Sequence, residues 1–166
     1  MSSTLAEDLL ERNRAYAEQA FGGARPLQPR RHLAVVACMD SRMDMFELLG
    51  LDSGDAHVLR NAGGVVTDDV IRSLAISQRL LGTTGIVLVH HTDCGMQKLT
   101  DDEFRDELEA DTGLRPTFAI ESFRDPYEHV RQSIARLVHS PFLASKDEIV
   151  GFVYDVETGY LQLVEP

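Results

Sequence analysis

Cysteine is scarce in this chain: there are two in 166 residues, Cys38 and Cys94. With no thiols to spare, no disulfide framework is expected, and a reducing, cytoplasmic setting fits best. Positive charge is also in deficit. Sixteen Lys and Arg face 27 Asp and Glu, a formal net charge of −11, which argues against nucleic acid or an anionic membrane as partner. No apolar run approaches the ~20 residues that span a bilayer. Nor does Met1-Ser2-Ser3-Thr4 read as a secretory leader, since it runs straight into an acidic, amphipathic segment. Internal repeats and low-complexity tracts are absent. What remains is 43% hydrophobic and long enough to bury a real core, so one domain is expected over residues 1–166.

Its elements follow from punctuation and period. Thr4 with Glu7 makes a capping box, and Leu5, Leu9, Ala17 and Ala20 recur near helical spacing, which predicts a helix over Thr4–Phe21 stopped by Gly22-Gly23. A connector rich in Pro and Arg runs to Arg31, so residues 1–31 read as a helical arm and linker, and 32–166 as the core. Leu33–Ala37 has no alternation and reads as a strand buried on both faces. A short helix over Met43–Leu49 ends at Gly50. Ala56–Leu59 is a second strand entering Arg60-Asn61-Ala62-Gly63-Gly64. Thr67-Asp68-Asp69 caps a helix whose face carries Ile71, Leu74, Ala75, Gln78 and Leu81, with Gly82 as its stop. Ile86–Val89 is a third, central strand. Thr100–Ala110 repeats the capping pattern, Leu114–Arg124 reads as a loop, and Asp125-Pro126 opens a helix ended by Pro141. Two strands, Ile149–Asp155 and Tyr160–Val164, flank Glu157-Thr158-Gly159 as a hairpin. Strands alternating with helices predict an α/β fold: a mostly parallel central sheet flanked by helices, with a C-terminal antiparallel hairpin strand.

Ligands in such sheets bind beyond the carboxyl ends of the strands. There the first strand ends in Cys38-Met39-Asp40-Ser41-Arg42, and the third in His90-His91-Thr92-Asp93-Cys94-Gly95. If the two strands are parallel neighbours, Cys38, His91 and Cys94 converge. Two thiolates and one imidazole make a zinc site with a fourth position left for chemistry. The plainer reading, two buried thiols acting as small hydrophobes, does not explain why both cysteines stand at strand ends with a His-x-x-Cys turn. Asp40 has two candidate partners, the metal and the guanidinium of Arg42; the first closes the site, the second leaves a carboxylate oxygen free. Gly63-Gly64 after a strand suggests close backbone approach or positive φ, with an ordinary tight turn as the plainer reading. Asp93 reads as support for the metal or a cap of its turn. His90 is expected to point away from the site by alternation, and His32, His57, His129 and His139 have no partner in sequence.

The three motifs, in this order and spacing, resemble the β-class carbonic anhydrases from about Leu33 to the terminal hairpin, and the short chain resembles their compact prokaryotic branch. The resemblance implies one Zn2+ per chain on Cys38, His91 and Cys94, and a dyad of Asp40 and Arg42. It also implies that Asp40 becomes a fourth ligand in closed forms. The activity implied is reversible hydration of CO2 to bicarbonate and a proton, by a zinc-bound hydroxide that the dyad orients, with Gly63, Gly64 and Val66 bordering the substrate. A homodimer or homotetramer is implied, with the N-terminal helix lying on the neighbour. The chain departs from plant-type members: it has no tryptophan for an allosteric bicarbonate pocket, and no glutamine in Met43-Asp44-Met45. The same branch includes carbon disulfide and carbonyl sulfide hydrolases, which stand as the alternative enzyme. A non-catalytic zinc module closed by Asp40 is the alternative from another class.

Overall fold

The computed structural model describes residues 4–165; Met1, Ser2 and Ser3 of the expected arm and the last residue, Pro166, lie outside the described residues. Five strands form one sheet in the order β2-β1-β3-β4-β5: β1 (Leu33–Cys38), β2 (Ala56–Asn61), β3 (Gly85–His91), β4 (Ile149–Tyr154) and β5 (Leu161–Leu163). All pairings are parallel except β4 with β5, the hairpin that the sequence signals. The mixed α/β sheet is therefore as expected. Five helices cover or extend it: α1 (Leu5–Gln19), α2 (Met45–Leu49), α3 (Asp68–Leu81), α4 (Asp101–Thr112) and α5 (Pro126–His139).

Alternation along the inner strands divides the core. Val35, Ala37 and Val89 point into one apolar cluster with Met43, Met45, Met96 and Phe123. Ala34, Val36, Ile86 and Leu88 point into the other, with Val70 and Leu74 of α3 and Leu137 of α5. Strands buried on both faces carry unbroken apolar runs, which is why β1 and β3 show no period of two.

Local chemistry sets the helix ends. The Thr67 side chain accepts from the N–H of Val70, and Gly82 closes α3 in the left-handed region. Asp125 caps α5 with Pro126 in its first turn. The boundaries of α2 and β2 differ from the sequence reading. Asp44 accepts from the N–H groups of Phe46 and Glu47, so α2 starts after it rather than at Met43. Strand β2 continues to Asn61, because Ala37 and Cys38 of β1 still offer partners to Arg60 and Asn61. Helix α1 keeps both halves of its capping box but ends before Gly22-Gly23, with Ala20 and Phe21 both donating to the Tyr16 carbonyl. No residue of α1 is buried, so the helix does not pack on its own chain.

Candidate metal centre

The register explains the convergence. Leu33 of β1 is opposite Gly85 of β3 and Ala37 is opposite Val89, so both strands run out at the same edge of the sheet. Just beyond it, the side-chain donor atoms of Cys38, His91 and Cys94 lie within 4.8 Å of one another, all buried. The structure thus brings together the three residues that the sequence singles out as ligands.

Their surroundings fit a cation. His91 Nδ1 faces the main-chain oxygen of Thr92 at 2.8 Å. A carbonyl only accepts, so Nδ1 carries the proton and Nε2 presents its lone pair. Nε2 is fully buried and has no hydrogen-bond partner among the described residues. An imidazole fixed in that tautomer by its own backbone is how metal-binding histidines are prepared. The Cys38 thiol is pulled below its ordinary range, first by a hydrogen bond with Cys94, against burial, and then by His91 and the main-chain N–H groups of Asp40 and Gly63. Cys94 is pushed up in turn by its bond with Cys38 and by burial, although the N–H of Met96 points at it. Burial disfavours an imidazolium at His91, yet Cys38, the Thr92 carbonyl and Asp40 outweigh it and raise its pKa. Metal binding would displace the thiol protons of this cluster.

Beside the cluster, Arg42 grips Asp40. Nε donates to Oδ1 at 2.9 Å and Nη2 to Oδ2 at 2.7 Å, and the Arg42 main-chain N–H adds a third bond to Oδ1 at 2.9 Å. These bonds hold the Asp40 carboxyl well below the usual carboxylate range despite its partial burial. Asp40 Oδ2 stands 3.7 Å from His91 Nε2. Of the two partners open to Asp40, the structure shows the guanidinium.

Gly63 and Gly64 form a short 3-10 turn after β2, both buried and both at positive φ. The Gly63 main chain is among the groups that lower the Cys38 pKa. Gly64 lies against the β1 backbone, where a Cβ would stand 2.8 Å from Cys38 N. Close approach therefore accounts for Gly64, and an ordinary turn does not. Val66 is 1% exposed and packs in the cluster shared with Ala34, Val36 and α3, on the far side of the sheet from Cys38 and Cys94.

Nothing in the sequence marks Arg60 for a task at this site. Its guanidinium donates to the carbonyls of Cys38 (2.8 Å), Met43 (2.9 Å) and Asp40 (2.6 Å), clamping the turn that carries Cys38, Asp40 and Arg42. Gln97 does the same for the second turn: its Oε1 accepts from the N–H of Cys94 at 2.9 Å and its Nε2 donates to the Arg124 carbonyl. His90 points away from the cluster, as alternation predicts. It meets His129 of α5 at 2.7 Å, against the ring of Phe123, and burial pushes its pKa down to about 3, helped by His129 and His91. His57 meets Ser77 at 2.7 Å and the exposed His32 meets the Gly82 carbonyl at 2.8 Å, both away from the donor cluster.

A family model described as carbonic anhydrase matches residues 33–119, which include all three motifs. β-Carbonic anhydrase 1 of Mycobacterium tuberculosis is 53% identical over 163 residues, covering 98% of this chain and 99% of that protein. The chain belongs to the β-class carbonic anhydrases. Among solved β-class and related structures, the carbonic anhydrase of Streptococcus mutans superposes with a TM-score of 0.93 at 44% identity, over 99% of this chain and all of that one. The family also reaches the carbon disulfide hydrolase of Acidianus sp., 34% identical over 187 residues, 98% of this chain and 90% of that protein. As a β-class carbonic anhydrase the chain is an enzyme, and its Cys-His-Cys cluster could hold the metal of that family.

Proposed function

We propose that the chain binds one Zn2+ through Cys38, His91 and Cys94 and hydrates CO2 reversibly to bicarbonate and a proton. The observation that carries this is the buried, unpartnered Nε2 of His91, held in the ligating tautomer and placed within 4.8 Å of two thiols. Zinc held there supplies Lewis acidity that brings water to its hydroxide form near neutral pH. The chain's own residues do the rest. Asp40 is kept ionised by Arg42, so it can only accept; it takes the hydrogen bond of the attacking O–H and turns the oxygen lone pair toward the carbon of CO2. Arg42 occupies both carboxylate oxygens and so holds Asp40 back from the donor cluster. The N–H groups of Gly63 and Asp40 at the Cys38 sulfur, and of Met96 at Cys94, stabilise thiolates that would otherwise be costly to bury. The Gly63-Gly64 backbone borders the substrate, whereas Val66 packs in the apolar cluster of Ala34, Val36 and Leu74. Met43, Met96 and Phe123 pack in the apolar cluster that also holds Cys38 and Cys94, surroundings that suit a substrate without charge or net dipole.

Two further readings belong to this proposal. The chain acts as a single domain in the cytoplasm, and it works as a homodimer or a larger assembly of itself. Leu5, Leu9 and Leu10 of α1 are 74, 54 and 58% exposed, an apolar stripe that a second copy would cover. No helix among the described residues is long and apolar enough to cross a membrane.

Hydrolysis of carbon disulfide is the second reading, favoured by the 34% identical hydrolase. Stopped-flow assays of the zinc-loaded protein with CO2, and sulfide release from CS2, separate the two. Fast CO2 hydration with negligible sulfide release is expected. Sulfide release without CO2 hydration selects the hydrolase, and inactivity toward both leaves a non-catalytic zinc protein.

A further inference from the structure

Arg42 grips Asp40, and it is itself gripped from behind. A guanidinium has five N–H groups in one plane. Two go to the carboxylate of Asp40. On the opposite side, Nη1 donates to Asp93 Oδ2 at 3.0 Å and Nη2 donates to the Asp93 main-chain oxygen at 3.1 Å. The other oxygen of Asp93, Oδ1, pairs with Lys98 Nζ at 2.6 Å. Charges thus alternate along Asp40, Arg42, Asp93 and Lys98, from the edge of the donor cluster to solvent. Asp93 holds φ at +53°. That left-handed conformation is unfavourable for most L residues and tolerated by Asp and Asn. It lets one residue aim both its carbonyl and its carboxylate at the same guanidinium.

We propose that Asp93, backed by Lys98, is a positioning residue that fixes the plane of Arg42 and through it the aim of the Asp40 carboxylate at the donor cluster. The inference rests on the roles given above to Asp40 and Arg42. Its competitor is a plain turn-former, which any residue content at positive φ could replace.

Two substitutions divide these. Asp93→Gly keeps the turn, since glycine takes positive φ freely, and keeps the main-chain oxygen, but deletes the acceptor of Nη1. Asp93→Asn keeps the turn and restores a side-chain oxygen. The first readout is solvent exchange of the Arg42 Nε–H in the zinc-loaded protein, followed by NMR and assigned with Arg42→Lys. Exchange is expected to quicken about tenfold in Asp93→Gly, the scale of one lost hydrogen bond between charged groups, and to return most of the way toward wild type in Asp93→Asn. Lys98→Met should shift it about twofold, as an exposed ion pair contributes little. The second readout is kcat/KM for CO2, expected to fall in the same order while zinc content stays at one per chain. Unchanged Nε–H exchange in Asp93→Gly overturns the proposal. Faster exchange with undiminished CO2 hydration upholds the hold on Arg42 and refutes the part assigned to Asp40 and Arg42 instead.

Discussion

Replacing Gly64 by alanine tests how closely the turn after β2 must press on the metal cluster. Its φ of +67° already disfavours an L residue, and the new Cβ would stand 2.8 Å from Cys38 N and 2.9 Å from Ala37 C. Both are main-chain atoms of β1, a strand bonded on both sides, so they have nowhere to go. The conformational cost is ~1–2 kcal/mol, and a methyl forced against fixed backbone adds ~1–3 kcal/mol. The expected loss is therefore about 2–5 kcal/mol, or a melting point lower by roughly 4–20 °C for a chain of this length. Gly63→Ala is the control. Its φ is equally positive, at +80°, but its Cβ would meet Met96 Cγ, Phe123 Cε1 and Val65 Cγ2 at 3.0, 3.0 and 3.1 Å, side-chain atoms that can yield. Urea and thermal unfolding of the zinc-loaded proteins should rank Gly64→Ala well below Gly63→Ala. The larger backbone shift in Gly64→Ala should also draw the Gly63 N–H from the Cys38 sulfur and weaken zinc retention. Equal unfolding midpoints for the two variants, or a Gly64→Ala as stable as wild type, would refute the reasoning.

Three other outcomes can be checked in parallel. Arg60→Ala removes three hydrogen bonds from a charged donor to the Cys38–Met43 turn and should lower CO2 hydration more than tenfold. Arg60→Lys should not restore it, because an ammonium cannot reproduce the planar fork; a fully active lysine variant would contradict that clamp. Asp101 accepts from the hydroxyl and N–H of Ser122 and the N–H of Glu121, and these bonds lower its pKa, Ser122 foremost, against partial burial. A depressed carboxylate stabilises the fold above its unfolded pKa of about 3.9 and loses that contribution as pH falls through the lower folded value. Asp101→Asn should therefore be less stable than wild type at pH 7, with a gap that narrows below about pH 4; a gap independent of pH in denaturant titrations would count against it. Deleting residues 1–23 should shift the sedimentation coefficient toward a monomer or cause aggregation, and an unchanged soluble oligomer would show that α1 covers no partner.

Much of this was legible because it is local. The capping box at Thr4, the caps at Thr67 and Thr100 and the Pro126 start each lie within a few residues of what they cap, and the structure shows each. At Thr100, however, the Glu103 carboxylate takes the Thr100 hydroxyl rather than its main-chain N–H, so only half of the expected box forms. The donor set was legible for a different reason: Cys38 and His91-x-x-Cys94 end two apolar runs, and parallel pairing of those runs does the rest. What sequence could not show is long-range or conformational. Arg60 reaches back 22 positions to the Cys38 carbonyl and 20 to that of Asp40. Arg42 reaches Asp93 across 51 residues. His90 finds His129 across 39, where isolated histidines offered no hint of a pair. The positive φ of Asp93 leaves no mark except that the residue is an Asp in a turn. The family resemblance implies that Val66 borders the substrate, yet its side chain packs with Ala34 and Val36, in the cluster that does not hold Cys38 and Cys94.

Zinc stoichiometry in His91→Ala tests the central claim most directly. Wild-type protein, purified with zinc and dialysed without a chelator, should carry one zinc per chain by elemental analysis. His91→Ala deletes the imidazole whose Nε2 has no other partner and should leave far less than one, with CO2 hydration lost in proportion. A folded His91→Ala that still retains one zinc per chain would contradict the assignment of the Cys38–His91–Cys94 cluster as the metal centre.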